Sequence, residues 1–182
     1  MEKDSHVYKS AKSGQSLVTV IASSCRTPIL SVKYSNLVKP YYYPNSAKVP
    51  RYSVTCLANS EEHKEFISDI QSIEKNEKVE TVIKNDFTKK DGETVNTGNV
   101  CIKFQGKDLI PIFVIENWKQ LVLNQSLNFA IPQEIRLEDE LAHGEKIMVV
   151  YDILRYTKKN TPQIIEHGLN FKPISIFFYP ET

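Results

Sequence analysis

The stretch from Gly144 to Tyr179 constrains the fold of this chain more than any other. Ile147 to Tyr156 is a β-branched and aromatic run too apolar to face water on both sides, so it reads as a long, mostly buried strand. A polar interval, Thr157 to Pro162, precedes a second strand, Gly168 to Tyr179, and the pair makes a long hairpin. In that second strand Leu169 and Phe171 occupy odd positions, whereas Ile174, Ile176 and Phe178 occupy even ones. A period-two pattern changes parity only through a bulge or bend, and Pro173, which lacks an N–H, fits such a break. Bent, bulged strands are what a small closed barrel needs at its corners.

The chain has 182 residues and is 41% hydrophobic, enough for one sizeable core. The reading is a flexible N-terminal arm over residues 1–16 and a single domain over 17–182. No run is long enough for a membrane span, and the polar start Met1 to His6 is unlike a secretion signal, so a soluble, cytoplasmic protein is expected. Cys25, Cys56 and Cys101 are odd in number and set in apolar runs, as reduced core cysteines are. The net charge of +1 hides an asymmetry: residues 1–60 carry eight basic and two acidic side chains, and the remainder has an acidic excess. One basic face on a near-neutral protein suits a polyanionic partner, although ordinary surface charge explains the numbers equally well.

Strands are expected at Leu17 to Ser23, Ile29 to Tyr34 and Arg51 to Leu57. Between the last two lies Lys39 to Ser46, where Pro40 and Pro44 flank Tyr41, Tyr42 and Tyr43 in a segment read as a loop. Phe66, Ile67, Ile70 and Ile73 form one apolar stripe, so a helix of about four turns is expected, capped by Asn59 or Ser60. Residues 76–99 read as an exposed loop or hairpin, followed by strands at Val100 to Phe104 and Leu109 to Ile115 and a short one at Ser126 to Ile131.

Catalytic and metal-binding constellations are missing: there is no Gly-rich phosphate loop, no nucleophile elbow, and no His or Cys pair at metal-ligand spacing. No catalytic residue, metal or cofactor is expected. The run Glu138-Asp139-Glu140 is read as a solvated turn, with a metal-dependent nuclease as a distant third reading. Instead, aromatic residues alternate with cations. The candidates for contact with nucleic acid are Lys33, Tyr34, Lys39, Tyr41, Tyr42, Tyr43, Arg51, Tyr52, Lys103, Phe104, Arg155, Tyr156, Lys158 and Lys159. A groove for single strands needs this combination, because bases stack on aromatic faces while cations follow the phosphates. Tyr52 and Phe104 lie in apolar strands, where core packing competes with stacking. Trp118 is read as a packing residue, and His6, His63, His143 and His167 as surface residues.

Tyr34-Ser35-Asn36-Leu37-Val38-Lys39-Pro40, then Arg51-Tyr52-Ser53-Val54-Thr55 and an amphipathic helix, resembles the opening of the phage replication single-stranded DNA-binding proteins with an OB-type barrel. The close, from Gly144 through Tyr156 to Gly168-Leu169 and a strand of alternating Ile, is similar too, so the likeness runs in order over about residues 27–178. It implies a mainly β, OB-fold-like closed or partly open barrel with one amphipathic helix and long loops. It also implies a non-catalytic protein that coats single-stranded DNA during viral replication, recombination or repair in the host cytoplasm and contacts a polymerase or helicase. RNA as ligand and a homo-oligomer stay open. Such proteins end in an acidic tail, and this chain stops at Phe178-Tyr179-Pro180-Glu181-Thr182. The competing function is a structural or interaction protein that binds a protein partner through its Tyr-rich loop.

Overall fold

The computed structural model describes residues 7–9, 16–42, 44, 49–79, 83–88, 91–115, 132–161 and 164–180. They form ten strands and one helix: β1 (Val7–Lys9), β2 (Ser16–Arg26), β3 (Leu30–Tyr41), β4 (Arg51–Asn59), α1 (Lys64–Glu77), β5 (Lys84–Thr88), β6 (Thr94–Gly106), β7 (Ile112–Val114), β8 (Gln133–Ile135), β9 (Lys146–Thr161) and β10 (Ile164–Tyr179). Trp118, His6 and the strand expected at Ser126 to Ile131 lie outside the described residues.

Five strands close a ring in the order β9, β3, β4, β6, β10 and back to β9. Four joins are antiparallel, and the β6–β10 join is parallel. Two joins are thin. A single register pair, Phe171 with Phe104, links β10 to β6, and two pairs, at Leu30 and Ser31, link β3 to β9. The result is an OB-fold-like, partly open barrel with one amphipathic helix. Outside the ring, β2 lies along β9 with β1 beyond it, β7 lies beside β10 with β8 beyond it, and β5 pairs with β6. Residues 7–9 of the expected arm are thus a strand paired with β2.

The hairpin read from the sequence is longer than expected. β9 and β10 pair from Lys146 opposite Tyr179 to Thr161 opposite Ile164, so Thr157 to Thr161 of the expected polar interval are strand. Thr157 and Lys158 are held on both sides, because β2 runs along β9 from Ser16 opposite Lys158 to Arg26 opposite Val150, and beyond them the strand continues on β10 alone. The expected parity break is present as a register shift between Pro173 and Ser175. Ile174 falls inside it and is exposed, while Ile176 is fully buried.

Between β2 and β3 the chain passes Thr27-Pro28, and Pro28 has no N–H for the ladder. Thr27 bridges the gap: its N–H donates to the Val149 carbonyl, and its Oγ1 accepts from the Val149 N–H at 3.0 Å. β2 and β3 therefore follow β9 as one broken strand.

Leu30, Val32, Val54, Cys56, Ile102, Phe104, Ile147, Val149, Ile153, Phe171 and Ile176 are wholly or almost wholly enclosed. At the centre the Phe104 ring meets Tyr151 edge-on at 5.0 Å and Phe171 at 6.1 Å. Burial pushes the Cys56 thiol and the Tyr151 phenol well above their usual ranges, so both stay neutral core groups. No disulfide joins any of the three cysteines.

Helix α1 turns Ile67, Ile70 and Ile73 to this core, as their spacing requires. It starts later than the expected cap. Asn59 Oδ1 accepts from the N–H groups of Glu61 and Glu62, and His63 Nδ1 accepts from the Asn59 N–H at 2.9 Å, so Asn59 stabilises a turn that precedes the helix. His63 is thereby half-buried in a backbone contact rather than a plain surface residue.

Candidate nucleic-acid interface

Residues directly opposite each other in an antiparallel pair point to the same face, so register and burial together assign faces. Val54 pairs with Phe104, and both side chains are enclosed, which turns Ser53 and Thr55 outward on β4 and Lys103 and Gln105 outward on β6. On β3, Val32 pairs with Cys56 but Tyr34 pairs with Thr55. One extra residue is thus inserted at Lys33, and a bulge of this kind puts two successive side chains on one face. Lys33 and Tyr34 both join the outer face, with Lys33 Nζ 3.6 Å from Cys101 Sγ. Further along, Tyr41 pairs with Arg51 on the same side.

The outer face of β3, β4 and β6 therefore consists of cross-strand rows: Tyr34, Thr55 and Lys103, then Asn36, Ser53 and Gln105, then Tyr41 and Arg51. Short side chains on the middle strand are flanked by long ones, which gives a polar floor with raised sides. Asn36 Nδ2 donates to Ser53 Oγ at 3.5 Å, and Asn170 Nδ2 donates to the Gln105 carbonyl at 3.3 Å, extending the polar surface to β10. Thr55 Oγ1 is buried on this floor with no hydrogen-bond partner. Tyr34, Tyr41 and Tyr42 are 51%, 49% and 68% exposed.

Of the sequence-predicted residues, Lys33, Tyr34, Tyr41, Arg51 and Lys103 come together on this face; exposed Lys39 and Tyr42 lie near its Tyr41 end. Tyr43 is outside the described residues. Phe104 is a correction. It points into the barrel and is fully enclosed, so it has no face to offer a base. Tyr52 shares its parity, pairs with Gly106 and packs half-buried against the core. Arg155 is a second correction. Its guanidinium is tied to the last turn of α1, with Nε 3.4 Å from Glu77 Oε2 and Nη2 donating to the Glu77 carbonyl at 3.4 Å. A cation at a helix C-terminus offsets the macrodipole there, which is a structural use of the charge.

Tyr156 stands opposite Gly168 across the β9–β10 ladder, and its ring lies over the Gly168 backbone. A Cβ at position 168 would fall inside that ring. Gly168→Ala is therefore expected to swing the ring of Tyr156 outward and lower stability by about 1 kcal/mol, seen as a drop of about 2–4 °C in melting temperature. An unchanged melt would mean that the ring does not rest on the strand. Lys158 and Lys159 lie in β9 rather than in a loop, opposite Glu166 and Ile165 of β10.

Sequence reasoning missed Glu140. β3 between Asn36 and Tyr41 faces only the short span between Ser53 and Arg51 on β4, so its N–H groups there cannot reach the ladder. Glu140 takes them: Oε2 accepts from Leu37 N at 2.6 Å and Ser35 Oγ at 2.7 Å, and Oε1 from Val38 N at 2.7 Å and Lys39 N at 3.1 Å. Burial alone would raise this carboxyl, but the bonds from Leu37, Ser35, Lys39 and Val38 outweigh it and hold it below the usual carboxylate range. The segment Lys39 to Tyr41, read as loop, is accordingly the end of β3, and Pro40 sits there because no β4 partner asks for its missing N–H. A carboxylate committed to four donors is poorly suited to a metal site, which removes one acid from the nuclease reading. The only sequence signal for this role was an acid placed before a buried Leu141.

No protein-family model matches the chain, and no curated protein sequence matches it. Solved structures do. The chain is similar to the single-stranded DNA-binding protein from bacteriophage Enc34 in complex with ssDNA, with a TM-score of 0.56 and 15% identity over 97% of this chain and 96% of that one. A C-terminal truncation of the Enc34 protein gives 0.55 and 14% over 98% and 97%. The structure of gp2.5, a single-stranded DNA binding protein encoded by bacteriophage T7, gives 0.53 and 13% over 87% and 92%. At these identities the likeness is one of fold. It extends along most of the chain.

Proposed function

We propose that this chain is a non-catalytic single-stranded DNA-binding protein that coats and protects exposed strands during phage DNA replication, recombination or repair. The observation that carries the reading is the outer face of β3, β4 and β6. There Tyr34, Tyr41, Lys33, Arg51 and Lys103 border the polar floor of Ser53 and Thr55 on an OB-fold-like barrel. Exposed rings supply stacking surfaces, and the flanking cations follow phosphates. Proteins of the same fold bear the name of single-stranded DNA-binding proteins in two phages. In this reading residues 17–182 act as one domain onto which β1 of the preceding segment is paired, the protein works in the host cytoplasm, and polymerase or helicase are its protein partners.

The test is a titration of labelled oligo-dT at two salt concentrations. Affinity should fall with salt at a log–log slope of about −0.7 for each phosphate contact, and single strands should be preferred over duplex. Salt-independent binding, or equal affinity for duplex, would remove the groove from consideration.

A further inference from the structure

We propose that Glu140 is the positioning residue of this face: it replaces β4 as the hydrogen-bond partner of β3 where the ladder breaks, and thereby fixes where Tyr41 and Tyr42 stand. The inference rests on the reading of those tyrosines as base-stacking residues.

The break is built into the register. From Asn36 to Tyr41 the chain advances five positions, while its partner advances two, from Ser53 to Arg51. The surplus backbone must find acceptors elsewhere, because a buried or half-buried N–H without one is costly. Leu37 is pinned in the core, 3% exposed, so the bulge cannot relax by lifting away. The carboxylate meets the surplus fully. Each of its oxygens accepts two bonds, and the run of donors ends at Lys39 because Pro40 has no N–H to offer. Tyr41 and Tyr42 follow directly, so the approach to them is set by this side chain on one side and by the Tyr41–Arg51 pair on the other.

The mount for Glu140 is independent of the carboxylate. Leu141 is buried, and its N–H donates to Ser35 Oγ at 3.0 Å. The turn that follows is bonded to the first half of β3, with Gly144 N donating to the Val32 carbonyl and Val32 N to the Glu145 carbonyl, both at 2.8 Å. Ala142 N donates to Glu145 Oε2 at 2.7 Å. Changing the carboxylate alone therefore leaves its platform in place and releases only the far half of β3. Glutamine is the sharpest probe. It has the same size, but its NH2 group would face two of the four donors in place of an acceptor.

The experiment compares Glu140→Gln with the unaltered protein on two ligands of equal length: oligo-dT, and an oligonucleotide of abasic sites that offers phosphates without bases. Glu140→Gln is expected to weaken oligo-dT binding by about tenfold, the scale of one lost stacking contact, and to leave abasic binding within about twofold. It should also diminish the response of tyrosine fluorescence to oligo-dT. Glu140→Asp, which keeps the charge but draws the oxygens back by one methylene and leaves the Leu141–Ser35 bond intact, should show the same split more weakly and decides the matter if the glutamine variant does not fold. An equal loss on both ligands would make Glu140 a folding residue only. No change on either would show that the tyrosines keep their place without it, and a gain in affinity would mean that the carboxylate blocks a phosphate seat; each result overturns the proposal. If the unaltered protein binds oligo-dT no better than the abasic strand, the stacking reading itself fails, independently of the variants.

Discussion

Phe104→Ala is expected to lower stability by about 3–5 kcal/mol, the scale of a large aromatic truncation in a packed core. The ring is fully enclosed and is the point where Tyr151 and Phe171 converge, at 5.0 and 6.1 Å. Position 104 has a second burden, because Phe171 opposite Phe104 is the register pair by which β10 closes against β6. A cavity there loosens both the aromatic cluster and the parallel join of the ring. Against the about 5–15 kcal/mol that holds a typical domain together, such a loss shifts a denaturant midpoint far. Phe104→Leu refills most of the volume and should recover much of the loss. If instead the alanine variant melted normally and bound oligo-dT weakly, residue 104 would face the ligand and the assignment of barrel faces would be reversed.

The hairpin and the parity break near Pro173 were legible in the sequence, because each is a local pattern of period two. The apolar stripe of α1 was legible for the same reason at period 3.6. What the sequence hid was long-range. The polar residues Thr157 to Thr161 are strand because β10 turns straight back along them and β2, far earlier in the chain, pairs with Thr157 and Lys158, which their own local preference does not show. Tyr34 and Lys103 were singled out by type, but only the bulge at Lys33 and the register of β4 show that they flank one floor. Arg155 beside Tyr156 has the same local appearance as Arg51 beside Tyr52. The first pair is split by β9, with the cation bound to the end of α1, whereas Arg51 reaches the outer face. Glu140 was least visible of all, because its partners lie about a hundred positions earlier in the chain.

Tyr41→Ala, Tyr42→Ala and Tyr34→Ala should each leave the melting curve nearly unchanged, and at least one should cost about 1–3 kcal/mol of oligo-dT binding. The first half follows from exposure: side chains of residues that are about half or more in solvent in the folded state bury too little for their loss to unfold the barrel. The second follows from placement. Tyr34 stands beside Lys103 across Thr55, and Tyr41 stands beside Arg51, so each ring can hold a base while a cation nearby holds its phosphate. Tyr→Phe at the same positions should cost little, because the ring face and not the hydroxyl does the stacking. Loss of affinity should also be independent of salt, since no charge is removed, whereas Lys103→Ala would lower the salt slope by about 0.7. If the alanine variants bind oligo-dT normally but fail to capture a partner protein, the exposed tyrosines form a protein-docking surface and the competing function gains the site. The affinity series and the capture experiment move in opposite directions under the two readings, so the same three variants decide between them.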